Sequence, residues 1–334
     1  MDSKKKVLVT GGCGYIGSHV TRQLSELGYQ VVVYDNLSTG NKKALIHGEK
    51  LVVADLADTE TLRNVMKENV FSAVLHFAAS IVVPESVSKP LEYYRNNTVH
   101  TLNLLEACRE FGVKDIIFSS TAAVYGESGG DKPISEDDPL LPTNPYARSK
   151  LMDEWILADL ALANPEFSYV VLRYFNVAGA DLLSRMGQSF PNATHLIKVA
   201  SEVALGARPQ LMMYGDDYET PDGTCVRDYI HIEDLADAHV KALQYLEKGG
   251  ESRILNCGYG VGYSVKEVVA EVDRVHGADV PRQMTERRPG DVASLVADSS
   301  RLQRELGWKP QYNDLNLIVK SAYEWEKKVQ ESKA

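Results

Sequence analysis

Short apolar runs rich in β-branched residues recur through the first half of the chain. They are Val7-Leu8-Val9, Val31-Val32-Val33-Tyr34, Leu51-Val52-Val53, Ala73-Val74-Leu75, Ile116-Ile117-Phe118 and Tyr169-Val170-Val171-Leu172. Each run is continuous rather than alternating, which is the pattern of a strand covered on both faces. Stretches of helical spacing fill the gaps, among them 18–27, 90–111 and 145–163. Strand–helix–strand repetition predicts an α/β fold built on a doubly wound parallel sheet. Past Asn176 the pattern changes. Gly, Pro, Asp and Asn become frequent over 179–192 and 215–223, which predicts a smaller C-terminal α/β lobe. Its loops are expected over the carboxyl ends of the sheet, where such folds bind ligands. The expected division is 1–176 and 177–330, with some return of the second part to the first, and 327–334 reads as a frayed tail.

A chain of 334 residues is long enough to bury the core of one large domain and a smaller one. Its 36 basic and 46 acidic residues leave a net charge of −10, which argues against a nucleic-acid or membrane surface. An anionic ligand would therefore need a few local cations and backbone dipoles. Cys13, Cys108, Cys225 and Cys257 are far apart and form no Cys-x-x-Cys pair. Neither a metal site nor a disulfide framework is expected, and a reducing cytoplasm fits. No apolar stretch is long enough to span a bilayer.

The first run leads directly into Gly11-Gly12-Cys13-Gly14-Tyr15-Ile16-Gly17, followed by a helix. Glycines at 11, 14 and 17 permit a tight turn, close approach of a pyrophosphate, and packing of helix on strand. Alone, the pattern is a weak signal that also fits a tight structural turn. Context favours a dinucleotide cradle on a Rossmann fold. The second run ends at Asp35, 18 residues after Gly17, where a carboxylate reaches the adenosine ribose and repels a 2′-phosphate. NAD is thus preferred to NADP, although Lys42 and Lys43 lie nearby.

Asn144-Pro145-Tyr146-Ala147-Arg148-Ser149-Lys150 opens a helix, with Asn144 suited to the N-cap and Pro145 to the first helical position. Tyr146 and Lys150 are four apart and share a face. A phenol needs about 4 kcal/mol of differential stabilisation to ionise near neutrality. An ammonium one turn away and an oxidised nicotinamide are a source of it. On its own, Tyr-x-x-x-Lys is an ordinary helix-surface pattern. Behind the cradle and Phe118-Ser119-Ser120-Thr121 it becomes a catalytic set, with a Thr121 hydroxyl expected beside Tyr146.

In order and spacing, 11–17, His76-Phe77-Ala78-Ala79, Pro90-Leu91-Glu92-Tyr93-Tyr94, 119–126, 145–150, Arg173-Tyr174-Phe175-Asn176, 223–234, Arg287-Arg288-Pro289-Gly290-Asp291 and Glu305-Leu306-Gly307-Trp308 resemble the UDP-glucose 4-epimerases of the extended short-chain dehydrogenase/reductase family. The resemblance spans nearly the whole chain. It implies an NAD-binding first domain, a second domain that is mainly a UDP-sugar lobe, and reversible inversion at sugar carbon 4 through a 4-keto sugar. Tyr146, Lys150 and Thr121 would be catalytic. Gly11, Gly14, Tyr15, Ile16, Gly17, Asp35, Asn36, Asp55, Leu56, Phe77, Ala78, Ala79, Asn96, Tyr146, Lys150 and Phe175 would hold the cofactor. Thr121, Asn176, His195, Leu196, Tyr214, Arg227, Arg288, Asp291 and Leu295 would face the substrate. It also implies a homodimer through the helices around 90–111 and 145–163.

Sugar-nucleotide 4,6-dehydratases carry Asp-Glu after the catalytic Thr, whereas this chain has Ala122-Ala123, which transfer no proton. Thr121 keeps the hydroxyl that some epimerases supply with Ser. Ile81 stands where some members carry a cofactor-contacting Lys. His195 stands where others use Asn, as a substrate contact or a structural histidine. Leu295 is intermediate between the bulky and small residues that govern acceptance of N-acetylated sugars. UDP-glucose and UDP-galactose are expected first, with N-acetylhexosamines open. The alternatives are UDP-arabinose/xylose or UDP-glucuronate epimerisation and, in other classes, a non-catalytic dinucleotide sensor or a dehydrogenase releasing NADH.

Overall fold

The computed structural model describes residues 5–128, 132–190, 193–288 and 290–332. In chain order the elements begin with β1 (Lys6–Thr10), α1 (Tyr15–Glu26), β2 (Gln30–Asp35), β3 (Lys50–Val53), α2 (Thr59–Glu68), β4 (Ala73–His76), α3 (Val83–Ser88) and α4 (Pro90–Tyr93). After a π-helical turn at Tyr94–Val99 come α5 (His100–Glu110), β5 (Asp115–Ser119), α6 (Pro145–Ala163), β6 (Ser168–Tyr174), β7 (Asn176–Ala178), α7 (Leu196–Ala204), β8 (Leu211–Tyr214) and β9 (Val226–His231). The chain ends with α8 (Ile232–Leu246), β10 (Arg253–Cys257), β11 (Gly262–Ser264), α9 (Val265–His276), β12 (Arg282–Thr285), β13 (Ser294–Leu295), α10 (Ser300–Leu306) and α11 (Leu315–Glu331).

Two compact units result. The first comprises Met1–Val124, Pro142–Arg173 and Ala236–Leu255, and the second Tyr125–Leu141, Tyr174–Leu235 and Asn256–Ala334. In the first, seven strands form a sheet in the order β10-β6-β5-β4-β1-β2-β3. The pairings of β1 with β2 and β4, of β2 with β3, of β4 with β5, and of β5 with β6 are all parallel. All six apolar runs became strands of this sheet. Val7, Leu8 and Val9 are fully buried, so β1 is covered on both faces, as its unbroken apolar run required. Leu62 and Met66 of α2, Leu104 and Cys108 of α5, and Leu157 of α6 pack with Leu8, Val74, Ile116 and Val171 on one face.

From β1 the chain winds outward through β2 and β3, then returns to β4 on the other side of β1. This reversal opens a crevice at the carboxyl ends of β1 and β4, the general ligand position in such sheets. The helix expected over 90–111 is not continuous. It is α4, a π-helical turn and α5, an interruption that often marks functional sites.

In the second unit β11, β9 and β13 form a sheet that β7 joins through β9, while β8 pairs with β12. Asp234 organises the loops. Its carboxylate accepts from the Tyr259 hydroxyl at 2.6 Å and from the backbone nitrogens of Gln311 and Tyr312, and its carbonyl accepts from the buried Trp308 indole. The expected frayed tail at 327–334 is corrected by α11, which runs to Glu331, while Lys333 and Ala334 lie outside the described residues. Ile318 and Val319 bury one face of α11, and Glu326 pairs with Lys198, which lies 3.3 Å from Glu202. Lys327 and Lys328 sit on its exposed face. Charge density there signalled amphipathicity, not fraying.

Candidate active site

The glycine turn sits at the crevice. Gly11 has φ of 72°, and a Cβ there would lie 2.6 Å from the Ala78 nitrogen. Only glycine therefore lets the loop after β1 close against the loop after β4. Gly14 is the N-cap of α1 and provides no side-chain cap, which leaves that terminus to be satisfied from outside the helix. A bare backbone cradle at a helix N-terminus fits a dinucleotide pyrophosphate.

Asp35 does more than its sequence position suggested. One carboxylate oxygen accepts from the Cys13 nitrogen at 2.9 Å and the other from the Leu37 nitrogen at 2.8 Å. It clamps the glycine turn to the end of β2. Asn36 and Asp55 are brought together, amide to carboxylate at 2.7 Å. Burial acts to raise the Asp55 pKa, but the Ala57 nitrogen, the Asn36 amide and His100 outweigh it and hold the carboxyl below its ordinary value. Phe77 packs against the His239 ring at 4.8 Å.

Helix α6 starts as its sequence predicts. The Asn144 side chain accepts from the Ala147 nitrogen at 2.9 Å, and Pro145 fills the first turn. Such a cap contributes about 1 kcal/mol. Tyr146 and Lys150 are both buried. The Lys150 ammonium donates to the Ser119 carbonyl at 2.9 Å and lies 4.6 Å above the Phe118 ring. Burial lowers its pKa, opposed by Asp153 and Glu154. The Thr121 hydroxyl is buried and accepts from the Ala123 nitrogen at 3.1 Å.

Three supports were not singled out from sequence. Asn96 was named, but its neighbour Asn97 is the buried one. Asn97 accepts from the Ser80 nitrogen at 2.8 Å and donates to the Ser149 hydroxyl at 2.9 Å, whereas Asn96 donates to Ser80 Oγ at 3.1 Å. Glu154, one turn beyond Lys150, receives Arg173 Nη2 at 2.6 Å, a second Arg173 bond and the Ser120 hydroxyl. This buried bidentate pair pins α6 to β6. His76 bridges Thr10 at 2.6 Å and Thr101 at 2.9 Å. Burial, then the Lys150 charge, lower its pKa to about 3, so it is a neutral structural link. The quoted motifs contained Arg173, His76 and Ser120, but not their partners.

Apart from Thr121, which lies in the first unit, the substrate-side residues fall in the second unit. Asn176, His195 and Leu196 line one cleft together with Gln188 and Trp325. Gln188 Nε2 lies 2.8 Å from His195 Nδ1. With that amide assigned as donor, His195 Nε2 carries the ring proton. Phe175, next to Asn176 in the chain, is buried, its nitrogen bonded to the Cys257 carbonyl at 3.3 Å. Arg227 pairs in register with Leu295, and its guanidinium donates to the Val226 carbonyl. The Arg288 guanidinium stacks on Tyr214 at 3.9 Å, and the Asp291 nitrogen bonds the Arg288 carbonyl at 3.2 Å around Gly290. Pro289 of this motif lies outside the described residues.

The chain belongs to the NAD dependent epimerase/dehydratase family, whose model matches residues 7–258. Its relatives narrow the class. It is 53% identical to the UDP-glucose 4-epimerase of Azospirillum brasilense over 98% of this chain and 93% of that protein. The crystal structure of UDP-glucose 4-epimerase from Brucella ovis in complex with NAD superposes with a TM-score of 0.92 at 45% identity, covering 96% of this chain and 98% of that one. The Bifidobacterium longum enzyme in complex with NAD+ and UDP gives 0.92 at 39% identity, covering 97% and 98%.

Proposed function

We propose that this protein is a UDP-glucose 4-epimerase that interconverts UDP-glucose and UDP-galactose with NAD retained in the first unit and the UDP-sugar held by the second. The observation that carries the reading is the seating of Lys150. Its ammonium is held on the Ser119 carbonyl, one helical turn from Tyr146, beside the crevice bearing the bare glycine cradle.

The cradle at 11–17, Asp35 with Asn36, Asp55 with Leu56, 77–79, Asn96 and Phe175 would hold NAD, whose chemistry there would be reversible acceptance of the hydrogen at carbon 4 as hydride, so that it can be restored to the opposite face. Tyr146, as phenolate, removes the proton from the 4-hydroxyl and gives it back. Lys150 stabilises that phenolate, and Thr121 hydrogen-bonds the same sugar oxygen. Asn176, His195, Leu196, Tyr214, Arg227, Arg288, Asp291 and Leu295 bind the nucleotide and sugar. Arg227 and Arg288 supply the local positive charge that a chain of net charge −10 needs for a diphosphate.

A homodimer through α4, α5 and α6 accompanies this reading. Leu91, Val99 and Leu102, and Met152, Trp155 and Leu162 on α6, are large apolar side chains left exposed, the kind of surface that marks an interface. Four buried free cysteines support a reducing, cytoplasmic setting.

The test is to supply UDP-galactose to purified protein without added NAD and follow UDP-glucose, with UDP-xylose and UDP-N-acetylglucosamine in parallel. Turnover with no accumulation of NADH is expected. Stoichiometric NADH release would make the protein a dehydrogenase instead.

A further inference from the structure

Gln188 is buried and His195, the N-cap of α7, is exposed, and both line the cleft that holds Asn176 and Leu196. The backbone around Gln188 is fixed by α11. Its carbonyl accepts from the Trp325 indole at 3.1 Å, and a Cβ on the neighbouring Gly187 would stand 2.6 Å from that ring. Gly187 also pairs with Ala180, and the Asp181 carboxylate accepts from the Leu183 and Arg185 nitrogens within the loop. From this support the Gln188 amide nitrogen reaches His195 Nδ1 at 2.8 Å, the only hydrogen bond of that ring among the described residues. An amide nitrogen donates and does not accept. Nδ1 is therefore the bare nitrogen, and the proton stands on Nε2.

We infer that Gln188 is a positioning residue of the substrate site: its amide fixes His195 as a neutral imidazole whose Nε2–H donates to a diphosphate oxygen of the nucleotide sugar. The inference rests on the placing of His195 in the UDP-sugar site given above. A phosphate oxygen only accepts, so the opposite tautomer would meet it with a lone pair. The backbone nitrogens of the first turn of α7, which has no side-chain cap, are donors of the same kind in the same cleft. A proton on Nδ1 would set two N–H groups against each other, which keeps the ring neutral. Burial acts in the same direction, because protein surrounds the ring although its edge meets solvent, and this lowers its pKa. The charged groups around it are already paired. Lys198 on α7 is held by Glu202 and by Glu326 of α11, Arg185 by Asp181, and Lys328 of α11 by the Ser184 carbonyl. Tyr229 on β9 stays neutral, its pKa raised by burial. The donor is thus present across the neutral range with no change of charge.

The test joins long-range proton–nitrogen NMR of the histidine-labelled holoenzyme, with His195 assigned by its loss in His195→Asn, to calorimetry of UDP binding between about pH 6 and about pH 9. The wild type is expected to show the neutral Nε2–H tautomer throughout, with the Nε2 resonance moving when UDP is added. Gln188→Glu keeps the shape of the side chain and reverses its role, because a carboxylate accepts from Nδ1–H and raises the ring pKa. At low pH the imidazolium of this variant still donates from Nε2. At high pH Nε2 is bare and turns a lone pair to the phosphate. The ratio of variant to wild-type Kd for UDP should therefore rise about tenfold across the range, whereas a purely structural role leaves it flat. A flat ratio overturns the proposal, as does an Nδ1–H tautomer or an imidazolium in the wild type, and the wild-type spectrum decides the matter even if the variant does not fold. The underlying reading fails differently: tight UDP binding that leaves the His195 resonances unmoved takes His195 out of the nucleotide site, whichever tautomer it holds.

Discussion

The Asn97 amide donates a 2.9 Å hydrogen bond to the Ser149 hydroxyl, joining the π-helical turn to the turn of α6 that carries Tyr146 and Lys150. The Ser149 hydroxyl in turn donates to the Tyr146 carbonyl at 2.8 Å. The first turn of the catalytic helix is thus held from outside by a residue buried beside the 77–80 loop. Replacing Asn97 with Leu strands the Ser80 nitrogen and removes the donor to the Ser149 hydroxyl, which keeps its bond to the Tyr146 carbonyl. A loss of about 1–3 kcal/mol in stability is expected, with lower turnover, read from denaturant unfolding and the epimerase assay. Wild-type stability and turnover would show that the link is dispensable.

Tyr146→Phe removes one oxygen from a buried position. Turnover is expected to fall by about 10²–10⁴-fold, the usual contribution of a general base, while UDP binding measured by calorimetry stays unchanged. Near-normal turnover would exclude Tyr146 as the base.

The buried His76 makes stability depend on pH. Its folded pKa, lowered to about 3, lies below the unfolded value of 6.5. Between those values the unfolded chain binds the extra proton, so stability falls as pH drops from 6.5 towards 3. The slope from this group reaches about 1.4 kcal/mol per pH unit. Denaturant midpoints between pH 7 and pH 5 should fall in the wild type and fall less steeply in His76→Asn.

Arg288 and Tyr214 form a stacked pair at 3.9 Å. Such a contact is worth about 0.5–1 kcal/mol when exposed, so each supports the other's position. In a double-mutant cycle of Arg288→Ala and Tyr214→Ala, calorimetry with UDP should show each single change weakening binding and the pair weakening it by less than the sum. Strict additivity would mean that the stack does not contribute to the site.

Gly11→Ala places a methyl against the Ala78 backbone and demands a left-handed conformation that alanine resists. Loss of copurifying NAD is expected, measured by absorbance after acid release, with secondary structure retained. Full cofactor content would separate the turn from the cofactor site.

The strands that needed burial on both faces announced themselves as continuous apolar runs, and the cap at Asn144 marked the start of α6 within one residue. Strand β10 was not foreseen. It has one neighbour at the sheet edge, β6, and only Ile254 and Leu255 as a central apolar pair, too short a signal to separate from a loop. The break between α4 and α5 was also hidden, because a π-helical turn preserves the apolar content of a helix while shifting its phase.

Local order was therefore the sequence's own contribution: six strands, the glycine turn, and a helix carrying Tyr146 and Lys150 on one face. These depend on contacts within a few residues, where period, caps and glycine conformation decide the outcome. Partnerships were decided by the tertiary structure. Glu154 meets Arg173, His76 is gripped by Thr10 and Thr101, and Asn97 rather than Asn96 holds Ser149. Each joins residues from different strands and helices, and only the strand order and register of the sheet bring them within hydrogen-bonding distance.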